Sequence, residues 1–214
     1  MFTHVLPKGP SMSSRAASRP AERTTPPPES AATRREQILR AAMDCFAARG
    51  FRGTTTRDIA AGVGITEAAL YRHFESKEAL YKAVLERAIE HLDAALGATG
   101  AVGRYGPTPR ALLRSARAAP DAFTVLWRHA VREPAFASIV DDARQRLVRT
   151  TRDALADRVE PSQRRWAARA AIAYLVESVL VWIEDGDERL DDRFVAATDA
   201  ALRAGVRAWS RSAG

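Results

Sequence analysis

The chain has 214 residues, 46% of them hydrophobic and 28% charged, an ordinary balance for one or two soluble domains with a sizeable core. The formal charge of +7 comes almost wholly from arginine, since only Lys8, Lys77 and Lys82 are lysine; this hints at a polyanionic partner and also matches the Ala- and Arg-rich codon bias of a GC-rich genome. A single cysteine, Cys45, excludes an intrachain disulfide and a multi-cysteine zinc site, and abundant alanine with 7% aromatics favours close-packed helices over sheets.

Residues 1–32 carry six of the 11 prolines and no apolar period, so they are expected to form a disordered tail; Met12 competes with Met1 as the start. From residue 33 the apolar period is helical. Thr33 and Glu36 predict a capping box, Ile38, Ala42 and Phe46 one apolar face, and Gly50 a left-handed stop with Phe51 folded back on Phe46. Two short helices follow, near 56–62 and 67–73, with Thr55 and Thr66 as caps, Ile65 and Leu70 as a staple, and Gly64 in the turn. A fourth helix is predicted after Ser76 to about Leu96. The glycine-rich stretch 97–107 reads as a linker. Five further helices are expected near 109–118, 121–131, 134–158, 163–184 and 192–210, the last capped by Asp191 with Leu190 and Val195 as staple. The fold class is therefore all-α. The longest apolar run, 170–183, is short for a bilayer and holds Glu177, and the N-terminus has no sustained apolar segment, so a cytoplasmic protein without membrane attachment is expected.

Two short helices joined by a tight glycine turn bury little alone and need the flanking long helices as a platform. Ile59, Ala60, Val63, Ile65, Leu70 and Phe74 supply an inward face. Thr56, Arg57, Glu67, Ala68, Ala69, Tyr71, Arg72, His73 and Lys77 remain outward, in the pattern of a helix-turn-helix whose second helix enters a major groove. Any one of these residues alone reads as solvated surface, and residues 33–97 carry only +1; the signal is in the joint spacing. Residues 34–80, with TTTRDIA, Gly64, LYRHF and SKEAL, resemble the DNA-binding domain of the tetracycline-repressor (TetR) family of bacterial regulators, although Val63 and Ala68 stand where Ala and Gly are common.

The resemblance implies a helix-turn-helix domain over 33–80, a connecting part of the fourth helix over 81–96, and a ligand-binding and dimerisation domain over 97–214. It implies backbone contacts from Tyr71, His73 and Lys77, flanked by Thr56 and Arg57, with Thr66, Glu67, Ala68, Ala69 and Arg72 completing the DNA-facing set. The alanine methyls suit thymine, and Arg57 suits a guanine edge or a phosphate. Glu67 either accepts from cytosine N4 or merely favours the helix dipole. Arg34 and Arg35 read as first-turn surface residues, with a minor-groove arm as the alternative. Phe123, Leu126, Trp127, Phe136, Ile139 and Val140 are candidate lining for an effector pocket, with His129 or Tyr174 as its polar handle; simple core is the competing reading. The last two helices are expected to pair with a second copy.

The expected function is a sequence-specific transcriptional regulator, not an enzyme. It acts as a repressor, released from a palindromic operator by a small, mostly apolar effector. No cofactor or metal is called for, because HExxH, P-loop and GxGxxG motifs are lacking. Alternatives are a helical small-molecule-binding or catalytic protein that retains the N-terminal domain, and a sequence-independent DNA binder.

Overall fold

A computed structural model describes residues 31–98 and 100–211. Residues 1–30 of the tail expected over 1–32, and the last three residues, lie outside them, while Ala31 and Ala32 are helical. The described chain is helical apart from one two-stranded ribbon.

Helix α1, Ala31–Gly53, is interrupted at Gly50 by a positive φ of 70°, so its long part stops at the expected glycine and one further turn follows. The rings of Phe46 and Phe51 then lie 6.3 Å apart, as the folded-back ending requires. The start differs from expectation. The helix begins at Ala31, so Thr33 sits inside it, and Glu36 is taken by the Arg87 guanidinium of α4.

Helix α2, Thr56–Val63, has a full capping box in which Thr55 and Asp58 each accept from the other's backbone N–H. Hydrogen bonds to the carboxylate from the Thr55 side chain and backbone hold Asp58 below the usual range. Gly64, at φ 72°, closes the helix in the left-handed region that a side chain resists. Helix α3, Glu67–Tyr71, is capped by Thr66, and α4, Lys77–Gly97, by Ser76. Ile38, Phe46, Ile59, Leu70, Leu80, Tyr81 and Leu85 fill the core these four helices share.

The stretch expected to be a linker is docked. Strands β1, Val102–Gly103, and β2, Gly106–Pro107, pair antiparallel and lie on α7, Ala137–Ala154. Helices α5, Pro109–Ala118, α8, Pro161–Asp185, and α9, Asp191–Arg211, fall close to their predicted spans. The predicted helix 121–131 is broken up: α6 covers Pro120–Thr124, Val125–His129 form a π-helical turn, and Ala130–Arg132 a 3-10 turn. The extra residue of a π turn swings the following side chains around the axis. Here it turns Trp127 inward and aims His129 at α1. Asp191 is not a free cap either. Its carboxylate accepts two bonds from Arg117 (3.1 and 2.8 Å) and one from the Trp182 indole (2.6 Å), which hold its pKa down, while Leu190 is exposed. Helix α8 owes its apolar character to a buried face running from Ala167 to Leu180.

Candidate nucleic-acid interface

Helices α2 and α3 form two arms about Gly64, and Ile59, Ala60, Leu70 and Phe74 bury their inner faces. The caps at Thr55, Thr66 and Ser76 fix where each arm starts, so the outward residues are set by short-range chemistry alone.

Arg57, Thr66, Ala68, Tyr71 and Arg72 are exposed, as expected, and Ala69, His73 and Lys77 are half-buried beside them. Thr66 spends one acceptor site on the Ala69 N–H (3.1 Å), which leaves its hydroxyl proton to donate outward. The Lys77 ammonium lies 4.4 Å over the Phe51 ring, so the first turn of α4 is pinned to the end of α1. Arg35 lies over Phe74 at 4.7 Å and Arg34 donates to Gln37, both from within α1; they are helix-surface residues and not an extended arm.

Thr56 corrects the expectation. It is only 7% exposed, and its hydroxyl donates to the Glu67 carboxylate while lying 3.3 Å from the Tyr71 hydroxyl. Thr56 therefore ties α2 to α3 and orients Glu67 and Tyr71 instead of lying outward beside them. A threonine flanked by polar residues carries no sign of this burial in the sequence.

The residues expected around an effector scatter. Phe123, Leu126, Trp127 and Val140 are buried and Ile139 is half-buried. Phe136 stands 4.8 Å from Tyr81 and 5.3 Å from Phe51, in an aromatic cluster joining the N-terminal helices to the rest. Burial, with Glu133 nearby, pushes the Tyr81 phenol well above its ordinary pKa, and its hydroxyl has no hydrogen-bond partner among the described residues. His129 serves the same junction: its Nε2 lies 2.8 Å from the Ala47 carbonyl, and Arg52 pairs with Glu133 at 3.2 Å. Tyr174 is 39% exposed on α8 and lines an open cavity with Trp182, Phe194 and Thr198.

The family model for bacterial regulatory proteins of the tetR family matches residues 38–84, the segment from mid-α1 into α4. A TetR-like transcriptional regulator from Rhodococcus sp. RHA1 superposes with a TM-score of 0.69 at 27% identity, over 83% of this chain and 98% of that one. The chain thus carries a tetR-family segment over residues 38–84 on a TetR-like fold. TetR proteins are DNA-binding regulators and not enzymes. The repressor KstR2 of Mycolicibacterium smegmatis is 43% identical over 65 residues, or 30% of this chain. The match spans about a third (32%) of that relative's length. The TetR fold is also shared with AibR, solved with isovaleryl coenzyme A and operator DNA, at 22% identity and a TM-score of 0.60 over 79% of this chain and 97% of that one.

Proposed function

We propose that this chain is a sequence-specific transcriptional repressor of the TetR family that works at the nucleoid in the cytoplasm. On this reading residues 33–80 bind DNA, 81–96 connect, and 97–214 sense an effector and dimerise. One observation carries it: the exposed edge formed by Arg57, Thr66, Ala68, Tyr71 and Arg72 on a capped, glycine-turned pair of helices. Such an edge offers the hydrogen-bond donors and methyl groups that read bases and phosphates in a major groove.

Two copies would present two such edges to a two-fold symmetric site. The exposed Tyr174 and Val181 on α8, beside the small residues of α9, are the surface for that pairing. The π turn gives the effector domain a direct hold on α1 through His129, and α4 runs from Lys77 at the DNA edge to Leu92 in the shared core. An effector that shifts either one moves the DNA edges relative to each other. Its apolar part would pack among the aliphatic and aromatic side chains of 97–214. That a fold of this kind has been solved with isovaleryl coenzyme A and operator DNA together supports such an arrangement.

The test is an Arg57→Ala, Tyr71→Phe, Lys77→Ala triple variant measured by fluorescence anisotropy on an operator chosen with the native protein. Arg57 and Tyr71 are exposed and Lys77 gives up only its contact over Phe51, so with native circular dichroism confirmed operator affinity should fall at least a hundredfold. Loss of the Lys77 phosphate contact should also lower the salt slope by about 1. Unchanged affinity refutes the assignment.

A further inference from the structure

The groove between α7 and α8 gathers positive charge that the helix-turn-helix reading does not use. Arg144, Arg149 and Arg152 project from α7, and Arg165 and Arg169 from α8, against Asp141 alone as a lining acid. Several arginines elsewhere in the same half are matched, Arg146 with Asp93, Arg117 with Asp191 and Arg128 with Glu184, while others stand singly and do not converge on a cavity. Arg144, Arg149, Arg165 and Arg169 make no ion pair among the described residues, and the buried Nε of Arg144 has no acceptor. Like charges at i,i+4, as at Arg165 and Arg169, slightly disfavour a helix, a cost that a bound anion would relieve. One end of the groove is apolar, with Val148, Ile172 and the exposed indole of Trp166, in a cavity of about 550 Å³.

We infer that the α7–α8 groove binds an organic phosphate of nucleotide size. Guanidinium forks grip phosphate oxygens in pairs, and several converging forks select a ligand with more than one phosphate charge. The Trp166 end then takes a planar or apolar portion, which inorganic ions lack. The volume falls within the range of small-molecule sites. Arg144 gives the site a route inward, since its guanidinium lies 5.6 Å from the Trp127 ring centroid, on the π turn that also carries His129. The inference rests on the effector-domain reading above and adds the chemistry of the effector's charged end.

The experiment is calorimetric titration of the full chain with ADP, ATP and inorganic pyrophosphate, alongside anisotropy on operator and random duplexes. The variants are Arg165→Glu/Arg169→Glu and, on the opposite wall, Arg149→Glu, all at exposed positions and each checked for native circular dichroism. Binding of ADP and ATP is expected at micromolar concentrations. Pyrophosphate should bind at least tenfold more weakly, and each charge reversal should weaken nucleotide binding at least tenfold with operator affinity within threefold of native. Equal binding of pyrophosphate and ADP, or nucleotide binding indifferent to both variants, overturns the inference. So does a variant that loses random-duplex affinity and keeps nucleotide binding, which assigns the arginines to DNA. Absence of operator binding by the native chain would instead overturn the regulatory reading, whatever the nucleotide result.

Discussion

Replacing His129 by alanine tests the junction between the DNA edge and the rest of the molecule. The imidazole Nε2 is 2.8 Å from the Ala47 carbonyl, and a Cβ added at Gly50 would stand 3.2 Å from its Nδ1, so the ring fills the space at the end of α1. His129→Ala removes one hydrogen bond, about 1 kcal/mol net, and leaves that carbonyl and the gap to be repaired by water or collapse. Truncation of a half-buried ring adds a similar amount, giving about 1–3 kcal/mol in total. With a urea slope of roughly 2 kcal/mol per molar, the unfolding midpoint should fall by about 0.5–1.5 M. No DNA-facing side chain touches His129, so operator affinity should stay within threefold. Urea titration by circular dichroism and operator anisotropy read the two quantities. An unchanged midpoint refutes the bridging role. A folded variant that loses operator binding refutes the separation of junction from DNA edge.

Two further outcomes follow from local geometry. Burial, and the adjacent Asp44 carboxyl with which it is hydrogen-bonded, raise the Asp121 pKa above the ordinary carboxylate range. Because the folded value is raised, the stability tied to this proton is full below the unfolded pKa and is lost as pH rises through the folded one. Asp121→Asn should therefore melt higher than native at pH 7, with the gap closing toward pH 4; a constant gap contradicts the pairing. Gly106→Ala should cost about 2–4 kcal/mol, because φ is +100° and the new Cβ would run into Thr151 Oγ1 and stand 2.9 Å from the Thr151 Cα. A loss under 0.5 kcal/mol in urea titration would show that the ribbon does not press on α7.

What the sequence disclosed was what short-range chemistry determines. Thr55, Thr66 and Ser76 cap from their own positions, and Gly50 and Gly64 stop helices by backbone freedom, so the two short helices and most of their outward residues were legible from residues 50–80. Features set by distant partners were not. Asp191 looks like a cap until Arg117, 74 residues earlier, takes its carboxylate. Phe136 and His129 look like lining for a pocket until the π turn brings them against α1 and α4. Thr56 looks exposed until Glu67 closes over it. The arginine groove forms only when α7 and α8 lie side by side, and in the linear chain its members are lost among the other arginines.

Selection of bound duplexes from a random pool by the full native chain tests the central claim most directly. The account predicts enrichment of a two-fold symmetric sequence whose half-sites both contribute, with enrichment abolished in the Arg57, Tyr71 and Lys77 triple variant. A flat distribution after several rounds, with the native chain binding all duplexes alike, would contradict it.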